Sequence, residues 1–229
     1  QRETMPILDG VSRLVALQSQ IPNPPYIGLW TRLEGFTKGA LTALMEARQV
    51  VRFPMLRSTL HLTTADDHQQ FRMTIQPALE KGLRGFFAQR AKEFDIAKLV
   101  AGILPHMENA PLSMGAIRDI LAEIEPEQDT AAMSYAIRTF LPVIQVPPGG
   151  TWGVGSRASY VTAKQWLGEL DESDNLKPLF LRYLAGYGPA SVMDFQTWLG
   201  MTNLKKPIDK FRSELVVYQD EGGTELFDL

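Results

Sequence analysis

Gln18 and Gln20 are the residues whose type and spacing suggest chemistry in this chain. They close an apolar helical pattern just before Pro22, Pro24 and Pro25, where the chain must turn and its side chains face a junction. A carboxamide is a poor general acid or base. It can still hold a water by accepting one hydrogen bond and donating another, and its oxygen can stabilise a developing cation. Helix capping or an amide hydrogen bond within the core is the alternative use. Other catalytic sets are missing. There is no cysteine, which excludes thiolate nucleophiles, disulfides and Cys-ligated zinc or iron–sulfur sites. His61, His68 and His106 are the histidines, and no two have the H-x-x-x-H spacing of a zinc site, so no metal is expected. No serine lies in a G-x-S-x-G elbow and no glycine run has the G-x-x-x-x-G-K-S/T form, so Gly149-Gly150 is a turn and no cofactor is called for.

Charge points to a surface. The formal net charge of −3 weighs against nucleic-acid binding, where affinity comes from Lys and Arg neutralising phosphates. Its distribution does not: residues 1–100 carry 13 Lys+Arg against 9 Asp+Glu, while residues 101–229 carry 10 against 17. A phosphate-facing surface would draw on the first hundred residues, where Arg48, Arg52 and Arg57 cluster. On charge alone an ordinary solvated face explains these arginines equally well. Trp30, Trp152, Trp166 and Trp198 are expected in cores, since buried indoles are commoner than base-stacking platforms. A home in the cytoplasm follows from the absence of cysteine. The uncharged stretch 139–156 is broken by Pro142, Pro147, Pro148, Gly149 and Gly150, so it predicts no membrane span.

The elements that must position these residues follow from periodicity. Apolar spacing predicts helices over 6–20, 26–36 and 38–49, the last capped by Thr37, and a β-branched run with Pro54 predicts a hairpin or edge strands over 50–63. A long linking helix is expected over 65–92, opened by Thr64 and the acidic pair Asp66-Asp67. The order then recurs: helices over 96–107, 113–124 and 129–141, then strand-like arms 143–146 and 151–161 around Pro147-Pro148-Gly149-Gly150. After the acidic linker 169–174, a third cycle has helices over 177–185, 189–199 and 206–214 and strands near 215–218 and 225–227. Three helices and a hairpin is the order of a winged helix, a DNA-binding module. The expectation is an α-rich α+β protein of three such modules, 1–94, 95–170 and 171–229, the first carrying the linking helix.

Three stretches carry a resemblance. Leu17-Gln18-Ser19-Gln20-Ile21-Pro22 through Tyr26-Ile27-Gly28-Leu29-Trp30-Thr31-Arg32-Leu33, then Leu56-Arg57-Ser58-Thr59-Leu60-His61-Leu62, then Tyr187-Gly188-Pro189-Ala190-Ser191-Val192-Met193-Asp194-Phe195 with Trp198, resemble the AlkZ-like DNA glycosylases. The resemblance implies tandem winged-helix domains in a C-shaped array around a DNA channel, with a Gln–aliphatic–Gln catalytic element. That element falls on Gln18 and Gln20, and Ser19 departs from it where an aliphatic residue is expected. His61 joins Arg48, Arg52 and Arg57 as a candidate DNA contact. The implied partner is double-stranded DNA, bound by a monomer, and the implied activity is excision of alkylated purines. The resemblance also implies that the chain starts after the first helix such proteins carry and stops inside or soon after the third module. Two other uses of this architecture stay open: a DNA-binding regulator or lesion sensor that leaves Gln18 and Gln20 idle, and a module whose winged helices bind protein.

Overall fold

The structure is a computed structural model that describes residues 2–88, 90, 94–154 and 158–229. Helix α1 (Ile7–Arg13) starts after Pro6 and buries Val11. It ends well short of the predicted residue 20, because Val15 takes a left-handed φ of 62° and its carbonyl accepts from the Thr63 hydroxyl at 2.5 Å. The chain leaves as a two-residue strand, β1 (Leu17–Gln18). Prolines that were expected to delay the next helix instead start it. In α2 (Asn23–Trp30), Pro24 and Pro25 fill first-turn positions where no backbone donor is needed. Thr37 caps α3 (Lys38–Glu46) by accepting from the Ala40 amide at 3.2 Å, as expected. Val11, Tyr26, Leu29, Leu33, Leu41 and Met45 from these helices form one core with Val50 and Leu62.

Strands β2 (Val50–Pro54) and β3 (Leu60–Thr64) form the expected hairpin, with a short 3-10 turn at Leu56–Ser58 between them. Thr64 caps α4 (Ala65–Phe71). The predicted linking helix is broken, since α5 (Gln76–Phe87) is a separate element with Pro77 in its first turn. The break is held by buried Arg72, which donates to the Thr139 carbonyl at 2.7 Å and to Gln76 Oε1 at 2.6 Å. Residues 89, 91 and 92 of the predicted span lie outside the described residues.

The second cycle runs α6 (Ile96–Asn109), β4 (Leu112–Ser113), α7 (Met114–Ile124), α8 (Thr130–Phe140), β5 (Val143–Val146) and β6 (Ser159–Thr162). Asp95, Ser113 and Asp129 cap its three helices through side-chain oxygens. Leu99, Ile103, Ile117, Leu121, Met133 and Ile137 pack against Val143 and Tyr160. The second strand of this hairpin begins later than residue 151, and 155–157 of the predicted arm lie outside the described residues. A short helix α9 (Ala163–Leu167) follows, which periodicity did not predict. The third cycle has α10 (Leu176–Tyr187), α11 (Val192–Leu199), α12 (Lys205–Asp209) and the hairpin β7 (Val216–Gln219) with β8 (Glu225–Asp228). Its centre is aromatic: Phe180 lies 4.8 Å from Phe195 and 6.2 Å from Phe227, ring centre to ring centre.

The α-rich α+β class is as expected from periodicity. Two features of the assembly were not. The first two hairpins merge into one antiparallel sheet in the order β1-β3-β2-β5-β6-β4, joined where Arg52 stands opposite Gln145. The third cycle's core is also continuous with this sheet, since Val51, Phe53, Ile144 and Val161 belong to the same buried cluster as Phe180, Phe195 and Phe227. An ion pair between buried Asp67 and partly exposed Arg182, at 2.9 Å, ties α10 to α4. Among the described residues no helix is long and apolar enough to cross a membrane.

Candidate functional site

Gln18 does not end a helix; it lies on the edge strand β1, opposite His61 of β3. Ser19 extends the pairing by donating its amide to the Leu60 carbonyl at 2.7 Å. Side chains alternate along an extended chain, so Gln18 and Gln20 project to one side and Ser19 to the other. Exposure follows that alternation, with both glutamines exposed and Ser19 fully buried. Gln20 Oε1 accepts from the Leu60 amide at 3.2 Å, which fixes the orientation of its carboxamide and turns its NH2 outward. Gln18 has no side-chain hydrogen bond among the described residues and is free to bind water.

Arg52 departs from the charge-based expectation. It is 4% exposed on the inner strand β2, and its guanidinium points into the protein rather than toward phosphates. Nε donates to the Ser19 carbonyl at 2.8 Å and to Ser19 Oγ at 2.9 Å; Nη2 donates to the Gln20 carbonyl at 3.2 Å and also to the Ser19 carbonyl. The polar residue that replaces an aliphatic one at position 19 is thus bonded to Arg52 within the protein. His61 is also buried, at 2% exposed, with Nδ1 2.8 Å from the Thr59 carbonyl. Desolvation, reinforced by the Arg57 charge and opposed by the Thr59 carbonyl, lowers its pKa to about 4. It is neutral at pH 7 and brings no charge to a phosphate.

Arg48 and Arg57 are exposed, each at a left-handed backbone position with φ of 62° and 51°. Arg48 lies over the Trp166 ring, 4.0 Å from its centre, and Arg57 donates to the Trp198 carbonyl at 2.6 Å. Arg57 also lines a cleft of about 400 Å³ with Lys81, Gln196 and Thr202. The tryptophans divide. Trp166 and Trp198 are partly buried against the main core, whereas Trp30 and Trp152 are 51% and 38% exposed, contrary to expectation. Trp152 sits at the β5–β6 turn with its ring edge-on to Tyr26, under the Lys38 ammonium, and with Trp30 lines a hollow of about 480 Å³. A cation and an aromatic neighbour on a turn satisfy an indole that a core need not enclose. Among the described residues no cluster of His, Asp and Glu could hold a metal ion.

The family model described as DNA glycosylase AlkZ-like matches residues 11–229. A search of curated proteins finds no match. Among solved structures, the Streptomyces sahachiroi DNA glycosylase AlkZ is similar in fold, with a TM-score of 0.83 at 15% identity over 99% of this chain. This chain spans 65% of the length of that protein.

Proposed function

Because this chain belongs to the AlkZ-like DNA glycosylase family, we propose that it is a monofunctional DNA glycosylase that excises alkylated purines from duplex DNA in repair. The single observation that supports this reading most is the pair of exposed carboxamides, Gln18 at the end of edge strand β1 and Gln20 two residues on, with the backbone between them held from behind. Alkylation at N7 puts positive charge on the purine and makes it a good leaving group, so the sugar needs only modest assistance. Water forms the new bond to C1′, the glycosidic bond breaks with its electron pair going to the base, and the water's spare proton passes to solvent. Gln18, free of other partners, accepts from that water and lends its oxygen to the oxocarbenium charge; the outward NH2 of Gln20 donates to the water or the sugar. No lysine nucleophile and no metal take part.

The three helix–hairpin cycles, 1–94, 95–170 and 171–229, are read as tandem winged-helix modules in a C-shaped array around the duplex. Arg48 and Arg57 meet phosphates, and neutral His61 supports the strand beneath Gln18. The protein acts as a monomer in the cytoplasm. The test is base release. Full-length protein incubated with a duplex containing 7-methylguanine should yield abasic product, and Gln18→Ala with Gln20→Ala should slow excision by about 10²–10⁴-fold with duplex affinity little changed. A double variant that folds and excises as fast as wild type refutes the mechanism. An inactive wild type that binds lesions tightly selects the regulator or sensor instead.

A further inference from the structure

Burying a guanidinium is costly unless its donors find acceptors, and no salt bridge among the described residues gives Arg52 the carboxylate that would usually offset the cost. Its acceptors are instead the Ser19 carbonyl, the Ser19 hydroxyl and the Gln20 carbonyl, all within the Gln18–Gln20 element. That element needs holding. As an edge strand of two residues, β1 has neighbours on β3 alone, and edge backbone frays readily. The Leu60 amide and carbonyl secure Ser19 and Gln20 from one side, and the Arg52 fork secures the same two residues from the other. Across the sheet, Arg52 stands opposite Gln145 at the seam between the two hairpins.

The second hairpin completes the arrangement. A Cβ at Gly150 would lie 2.8 Å from Arg52 Cδ and 3.1 Å from Nη1, and Gly150 has a φ of 81°. Only glycine leaves room for the arginine to lie in this way. The same turn is tied to the start of α2, where Asn23 Oδ1 accepts from the Gly153 amide at 2.9 Å.

We propose that Arg52 is a positioning residue for excision: it clamps the Ser19–Gln20 backbone so that the Gln18 and Gln20 carboxamides project together, and Gly150 keeps the clamp seated. This rests on the glycosylase reading of Gln18 and Gln20, but the clamp has a signature of its own. A lysine keeps the charge and loses the planar fork that reaches two carbonyls at once.

The experiment compares wild type, Arg52→Lys and Gly150→Ala, each with intact glutamines and in the Gln18→Ala, Gln20→Ala background. It reads single-turnover release of 7-methylguanine, duplex affinity and residue-resolved amide hydrogen exchange. Both variants should slow release by about tenfold to a hundredfold, the loss typical of small misplacements of catalytic groups. Affinity should stay within about twofold, since phosphate contacts lie elsewhere. In the glutamine-less background the same changes should cost nothing further. The Ser19 and Leu60 amides should lose about tenfold or more of their protection, while amides in α7 and α10 keep theirs. Equal slowing in both backgrounds overturns the proposal, as does protection lost evenly across the protein or unchanged at Ser19 and Leu60. If wild type releases no base, the glycosylase reading falls and exchange alone decides the clamp. A loss confined to Ser19 and Leu60 upholds it, and unchanged protection there overturns it. Should Arg52→Lys fail to fold, Gly150→Ala, which displaces the arginine from outside the strand, gives the same comparison.

Discussion

Acid should unfold this protein earlier than its carboxylates alone would dictate, because two histidines are buried in neutral form. His68 is fully buried on α4 with its ring edge-on to Phe53, 4.3 Å between centres, and neither ring nitrogen has a hydrogen-bond partner among the described residues. Desolvation, with the Arg72 charge adding to it, lowers its pKa to about 3, and His61 stands at about 4. In the unfolded chain both return to the ordinary imidazole value of about 6.5. The folded pKa values are depressed, so the stabilisation is complete above about pH 6.5 and is lost as pH falls, because the unfolded state binds protons that the native state refuses. At pH 5 each unfolded imidazole is almost fully protonated while its native counterpart remains mostly neutral, a difference of about 1.5 pH units of linkage. At about 1.36 kcal/mol per unit, this is about 2 kcal/mol per histidine and about 4 kcal/mol for the pair, relative to pH 8. Urea unfolding at pH 8, 7, 6 and 5 measures the loss, and stopping at pH 5 keeps most carboxylates ionised. His68→Leu, similar in volume and without a titrating group, should flatten the profile by about 2 kcal/mol. Stability that does not change from pH 8 to 5 in wild type, or an unaltered slope in His68→Leu, refutes the reasoning.

Other outcomes follow from single contacts. Arg57→Ala and Arg48→Ala should each weaken binding to every duplex and lower the salt slope of log affinity by about one unit, measured by fluorescence anisotropy across salt concentrations. Asp67→Asn should destabilise by about 1–3 kcal/mol in urea melts, because the buried carboxylate gives up its charge-assisted hydrogen bonds to the partly exposed Arg182. Gly82→Ala should cost about 1–3 kcal/mol by the same assay, since a Cβ there would lie 2.2 Å from Ser58 Oγ and push the 3-10 turn away from α5.

Features that depend on neighbours a few residues away were legible in the chain. Helical periodicity placed six of the helices, α3, α6, α7, α8, α10 and α11, within a few residues at both ends, and Thr37 and Thr64 cap where their side chains reach the backbone three residues on. The three helix–hairpin cycles and the resemblance carried by residues 17–33, 56–62 and 187–198 needed no tertiary information. What failed depended on partners far along the chain. Residues 14–18 have a helical pattern, but the edge of β3, more than forty residues later, offers Val15 and Gln18 better hydrogen bonds, so β1 forms. The linking helix looks continuous until Arg72 is drawn to the Thr139 carbonyl. Arg52 reads as a surface charge because nothing nearby in sequence shows that β2 and β5 will join and enclose it. The proposed site residues, Gln18 and Gln20, were visible by type and spacing from the first. That both face solvent at and just beyond the end of β1, with an arginine buried behind them, was decided only when segments thirty to a hundred and thirty residues apart came together, since hydrogen bonds and burial act through space rather than along the chain.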